Sequence, residues 1–151
     1  MKIALGADHG GFETKQALVE SLRGMGHEVV DMGAHDETSV DYPDFGAAVA
    51  GAVSRQEAER GVLVCGTGIG MSIVANKFPG VRAALVTSEH MAILASEHNN
   101  ANVLVVGGRG VSPQESAGWV SAWLTTPYEG GRHQRRLDKI SALELELQGK
   151  E

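Results

Sequence analysis

Five short apolar runs punctuate the chain: Lys2 to Ala7, Glu28 to Met32, Gly61 to Cys65, Arg82 to Val86 and Asn102 to Val106. The stretches between them carry apolar residues at helical spacing, and this alternation predicts a parallel sheet covered by helices. The first such stretch places Leu18, Leu22 and Met25 on one face and stops at Gly24 and Gly26. The second is the most regular, with Phe45, Ala48, Val49, Ala52 and Val53 in helical register behind a start at Asp41 or Tyr42-Pro43. A short third helix is expected to begin within Gly68 to Ser72. A fourth spans about Ser88 to His98, with Met91, Leu94, Ala95 and His98 on one face. Ser112-Pro113 opens a fifth as a cap followed by proline in the first turn. Beyond Pro127 the chain turns through Gly130-Gly131 into a charged helix from about Arg132 to Gln148, and the residues after Gln148 are expected to fray.

No repeat, low-complexity segment or linker interrupts this pattern, so residues 1–151 read as one domain, a length that suffices for a sizeable core. The 20 glycines are the one compositional excess and imply many tight turns or close backbone approaches. A net charge of −6 opposes nonspecific attraction to nucleic acid or to an anionic membrane, and neither is expected as a partner. The single cysteine allows no intramolecular disulfide, which fits a reducing compartment and makes the cytoplasm the expected location. The first apolar run meets Asp8 and His9 too soon for a signal peptide, and no run approaches the ~20 apolar residues of a membrane span.

Ligands of an open parallel sheet bind outside the carboxyl ends of the strands. Polar residues gather there: Asp8 and His9 after the first run, Tyr42 before the second helix, Cys65 to Gly70 after the third run and Arg109 after the fifth. In Cys65-Gly66-Thr67-Gly68-Ile69-Gly70 the alternating glycines let the backbone curl with its amides turned toward an oxyanion or phosphate. This loop is not the dinucleotide fingerprint, and it lacks the Lys-Ser/Thr of a P-loop. A cysteine phosphatase would need an arginine shortly after the thiol, where the chain has Met71 and Ser72. Cys65 itself has two readings, a reactive thiol beside an anion site or a small apolar residue ending a buried strand.

Arg132 and Arg136 share a helical face and repel one another unless an anion lies between them. The alternative is a solvated basic stretch balanced by Glu144 and Glu146. His98, at the end of an apolar face and before Asn99-Asn100, is either a core or interface residue or an acid-base group. The six histidines show no close metal-ligand spacing, so no zinc site is expected. The residues alone reach a sugar-phosphate-sized anionic site with a thiol in it. A non-catalytic module for a nucleotide or sugar phosphate also fits Gly6 to Gly11 and Asp31, but it leaves Cys65 and His98 idle.

The chain resembles the type B ribose-5-phosphate isomerases, a group that includes galactose-6-phosphate isomerase subunits. The resemblance rests on Gly6-Ala7-Asp8-His9-Gly10-Gly11, Asp41-Tyr42-Pro43, Cys65 to Gly70, Ala75-Asn76-Lys77, His98-Asn99 and Tyr128-Glu129-Gly130-Gly131-Arg132-His133, in order over nearly the whole length. It implies reversible interconversion of ribose 5-phosphate and ribulose 5-phosphate through an ene-diolate, without metal or organic cofactor; a hexose 6-phosphate is the rival substrate. By the same resemblance Cys65 is the base, Thr67 and the amides of Gly66, Gly68, Ile69 and Gly70 steady the oxyanion, His98 assists ring opening and Asp8 handles hydroxyl protons. His9, Arg132 and Arg136 would hold the phosphate, with Tyr42, Asn99 and Arg109 also at the substrate. Members that lack the cysteine use a glutamate slightly further along this loop; here Met71 to Ala75 contains no acid, so Cys65 is the available base. The resemblance further implies a pocket between two subunits of a homodimer, itself able to pair into a tetramer, with the segment from about 130 to 148 packing on the partner. The expected fold is a three-layer α/β/α Rossmann-like arrangement around a five-stranded parallel sheet, with an extra C-terminal helix.

Overall fold

The computed structural model describes residues 1–149. Five strands, β1 (Lys2–Ala7), β2 (Glu28–Asp31), β3 (Arg60–Cys65), β4 (Ala83–Leu85) and β5 (Val103–Gly107), form one parallel sheet in the order β2-β1-β3-β5-β4. The helices are α1 (Phe12–Gly24), α2 (Tyr42–Ser54), α3 (Ile69–Ala75), α4 (Glu89–Glu97), α5 (Pro113–Thr125) and α6 (Arg132–Leu147). The expected three-layer α/β fold with its extra C-terminal helix is therefore present. The fraying expected past Gln148 concerns mainly residues 150 and 151, which lie outside the described part.

The central strands are apolar on both faces, as strands covered by helices must be. Ile3, Leu5, Ala7, Val62, Val64, Leu104 and Val106 pack under α1, α4 and α5. Alternate residues of the same strands, Ala4, Leu63, Cys65, Val103 and Val105, pack under α2 and α3. The chain first crosses from β1 outward to β2 and then returns past β1 to β3. The carboxyl ends of β1 and β3 are thus neighbours from which the chain leaves in opposite directions, the crevice where such sheets place ligands.

Local sequence signals account for most element ends. Ser112 accepts from Glu115 N at 3.1 Å and caps α5, and Ser88 accepts from Met91 N at 3.1 Å and caps α4. Two expected faces are corrected. Met25 lies beyond the last turn of α1 and is exposed, while Leu18, Val19 and Leu22 form the buried stripe. On α4 the face against the core is Ala92, Ala95 and Ser96, and Met91 is exposed. The small side chains let α4 lie close to α5 and leave the longer apolar ones on its outer side. The short edge strand β4 omits Arg82 and Val86, although Val86 N still bonds Val105 O at 3.0 Å.

One buried charge needs its partner. Lys15 is fully enclosed and donates to Asp31 Oδ1 at 2.7 Å, Asp31 Oδ2 at 2.9 Å and Ala34 O at 2.6 Å. Gly33 N donates to the same carboxylate at 3.0 Å. This knot ties α1 to the end of β2 and fixes the segment that leads toward α2.

Candidate active site

Three loops meet at the carboxyl ends of β1, β3 and β5, with backbone packed on backbone. Asp8 caps a short 3₁₀ turn, its Oδ1 accepting from Gly11 N at 3.1 Å. A side chain at Gly11 would fall 2.7 Å from Val64 O, and one at Gly108 would strike Gly10 O. Only glycine permits this approach, which sets Asp8 beside the end of β3 and beside Arg109. The Arg109 guanidinium lies over Gly66, its Nη1 3.1 Å from where a Cβ on Gly66 would stand. Its Nη2 is 3.5 Å from the corresponding point on Gly10, so one cation spans two of the loops.

Cys65 ends β3 on the α2/α3 side and is 5% exposed. It packs as a small apolar residue, yet its sulfur is not idle: Gly68 N donates to Sγ at 3.2 Å. A hydrogen bond to a sulfur is worth most when the sulfur carries negative charge. Gly68 sits at φ +84°, a conformation glycine adopts without strain, and turns the chain from strand into α3. Ile69 N donates to Thr67 Oγ1 at 3.2 Å, which orients that hydroxyl on the exposed side of the loop. The Tyr42 ring lies against Gly70 so closely that any Cβ there would collide with it. His9 Nδ1 accepts from Val40 N at 3.1 Å, so the proton of a neutral His9 ring is on Nε2, leaving that nitrogen to donate.

The structure thus brings together Asp8, His9, Tyr42, Cys65, Gly66, Thr67, Gly68, Ile69, Gly70 and Arg109. It does not bring His98, Asn99, Arg132 or Arg136 to them. In this parallel fold α4 runs from the carboxyl edge of the sheet back to its amino edge, so His98 and Asn99, which follow α4, lie at the edge opposite Cys65. A strand of five residues separates the edges by roughly 16 Å at ~3.3 Å per residue. There, Glu129 N bonds Glu97 O at 3.1 Å and draws the start of α6 to the end of α4. The rings of His98 and His133 stack with centroids 4.2 Å apart and planes at 15°. Arg132 and Arg136 are exposed, and among the described residues neither has a hydrogen-bond or ion-pair partner.

Clefts of about 490 and 350 Å³ open at this amino edge. The larger holds Arg60, Arg82 and Asn100; burial and the charge of Arg60 push the Arg82 guanidinium below its ordinary value. The smaller runs from Asn76 and Asn99 to Leu137 and Ile140 on α6. Neither contains Cys65. Sequence reasoning missed the pairing of His98 with His133 and Glu129; the one available signal was the four-residue spacing of Glu129 and His133 at a helix start.

These two separated halves, a thiol in an amide-lined loop and a histidine near two exposed arginines, lie on a chain that is similar to known proteins over nearly its whole length. The model of the ribose/galactose isomerases matches residues 3–140. The chain belongs to the ribose/galactose isomerase family. Within it, the chain is 46% identical over 143 residues to ribose-5-phosphate isomerase B of Escherichia coli K12, covering 95% of this chain and 96% of that one. The structure of the Clostridium thermocellum ribose-5-phosphate isomerase B superposes with a TM-score of 0.95 at 47% identity, covering 97% and 99% of the two chains. That of the Mycoplasma genitalium protein, with bound ribulose-5-phosphate, gives 0.91 at 43% identity and 95% coverage of each. Among the described residues no helix is long and apolar enough to cross a membrane.

Proposed function

We propose that the protein interconverts ribose 5-phosphate and ribulose 5-phosphate, and that it works as a pair of identical chains sharing each active site. The observation that carries this reading is the Gly68 N–H aimed at Cys65 Sγ beside Asp8 and Arg109, with His98 and the arginine pair displayed at the other edge of the sheet. A second copy related by a two-fold axis would bring its amino edge to the carboxyl edge of the first, and the same contact would complete both sites. Ile140, Leu143 and Leu147 form an exposed apolar stripe along α6, and Ile69 and Ile73 lie exposed on α3. These surfaces suit a segment from about 130 to 148 that packs on a neighbour, and pairing of two dimers would use the same kind of surface.

In the shared site, His98 of the second copy opens the furanose ring with Asp8 taking part in hydroxyl proton transfer. The Cys65 thiolate removes the proton from C2 of the open-chain aldose. The electron pair shifts onto the C1 carbonyl oxygen, and Thr67 with the amides of Gly66, Gly68, Ile69 and Gly70 steadies the charge that develops there. The proton then returns to C1 as the C2 hydroxyl gives up its own, which ends on the C1 oxygen to make the new hydroxyl, so no net oxidation occurs and no external reductant is consumed. His9 and Arg109, with Arg132 and Arg136 of the second copy, hold the phosphate; Tyr42, with Asn99 of the second copy, lines the sugar. The cytoplasm, where phosphorylated sugars are retained, suits such an enzyme.

Because the family also covers galactose isomerases, the decisive comparison is a coupled assay of ribose 5-phosphate beside galactose 6-phosphate and allose 6-phosphate. The reading expects the pentose to give the highest kcat/KM. A higher value for a hexose phosphate would reassign the substrate, and no turnover of any of them would reject the isomerase.

A further inference from the structure

His98, Glu129 and His133 each offer a ligand atom, and the three atoms lie within 4.8 Å of one another. His133 is 5% exposed, and among the described residues its buried Nε2 has no hydrogen-bond partner. Glu129 Oε2 comes to 3.4 Å from that nitrogen, within ion-pair distance but not aligned as a hydrogen bond. An enclosed imidazole nitrogen with no partner costs free energy unless something occupies it, and this one is turned toward a carboxylate and a second imidazole. Two imidazoles and a carboxylate are a donor set for late first-row ions, whereas magnesium and calcium prefer oxygen alone.

We propose that His98, Glu129 and His133 form a binding site for a late first-row divalent ion, with zinc as its representative, and that the bound ion inhibits the isomerase by taking His98 out of the reaction. The inhibitory half rests on the function proposed above; the binding half does not. Zinc–ligand bonds of ~2.0–2.1 Å place two ligands of a tetrahedral ion about 3.4 Å apart, so the present set must close by little more than an ångström. His133 is fixed by burial, but His98 is only partly buried and Glu129 is half exposed, so those two have room to move. Because stacked rings cannot both point their lone pairs at one ion, binding turns His98 out of its stack on His133. A ring held there by the metal cannot pass a proton to the furanose oxygen. The fourth position is left for water.

The experiment is calorimetric titration of zinc chloride into the chelator-treated protein, with Cys65→Ala, Glu129→Gln and His133→Gln alongside. One ion per chain is expected, retained in Cys65→Ala and at least ~10-fold weaker in Glu129→Gln and His133→Gln. Glu129 is exposed, so its variant tests the site even if His133→Gln fails to fold. Cobalt(II) added in place of zinc should give ligand-field bands without a thiolate charge-transfer band. Absence of binding, or binding lost with Cys65 and kept without Glu129, overturns the site. In the isomerase assay, Glu129→Gln should turn over at the parental rate without metal and need at least ~10-fold more zinc for half inhibition. Equal sensitivity of the two overturns the inhibitory role. If the metal-free parent binds zinc but has no isomerase activity, the site stands and the proposed function fails.

Discussion

The backbone N–H of Gly68 donates to Sγ of Cys65 at 3.2 Å, and the bond exists because Gly68 adopts φ +84°. An alanine there would be strained in conformation, and its Cβ would fall 2.6 Å from Leu85 Cδ1. Backbone strain of this kind costs on the order of 1–3 kcal/mol. Gly68→Ala should therefore lower the urea midpoint and, by moving the donor off the sulfur, reduce kcat at least ~10-fold; a single preorganised donor is worth ~3 kcal/mol in favourable cases. Denaturation and steady-state kinetics on the same preparation check both, and an unchanged kcat would separate the turn from the chemistry.

Arg136 is exposed on α6 without a protein partner among the described residues, four positions from Arg132. Arg136→Ala should raise KM by ~10–100-fold, the value of a charge-assisted hydrogen bond, while kcat changes little because phosphate contacts are made in ground and transition states alike. Its thermal stability should rise slightly as the like charge is removed. A loss confined to kcat would place the residue in the chemical step instead.

Asp31 makes the stability of the fold depend on pH. Burial alone would raise its carboxyl, but the hydrogen bonds from Lys15 and Gly33 N and the Lys15 charge outweigh that and leave it below the ordinary carboxylate value. The stabilisation is present above the unfolded pKa, near ~3.9, and is lost as pH falls through the lower folded value. The gap in urea midpoint between the parent and Asp31→Asn should be constant from pH 7 to 5 and narrow below about pH 4. At neutral pH, Lys15→Met should cost about 3 kcal/mol by leaving Asp31 without its counter-charge. A gap that does not narrow in acid would remove Asp31 from this role.

Much of this arrangement was legible along the chain because the rules involved are local. Apolar runs gave the strands, and the rule that ligands gather at carboxyl ends of parallel strands picked out Asp8, His9, Cys65 to Gly70 and Arg109, which the fold does assemble. Helix faces were less legible at Met25, which lies beyond the last turn of α1, and at Met91, where the deciding factor is how closely a neighbouring helix approaches. The His98–Glu129–His133 cluster was hidden for a different reason. Its members are far apart in sequence and meet only because Glu129 N bonds Glu97 O at 3.1 Å, a contact no periodicity encodes. The opposite placement of Cys65 and His98 follows from strand and helix direction alone, and it is this separation that the proposed sharing of a site between two chains would bridge.

That division has a direct consequence for mixed dimers. Cys65→Ala and His98→Gln should each be inactive alone, since every site in either homodimer lacks one of the two groups. When the two inactive proteins are unfolded together and refolded, random pairing makes about half the dimers hybrids, and each hybrid of a two-fold pair contains one intact site. The isomerase assay of the mixture should therefore recover about a quarter of the parental activity. A mixture that forms hybrids by mass spectrometry yet stays as inactive as its components would contradict a site shared between two chains.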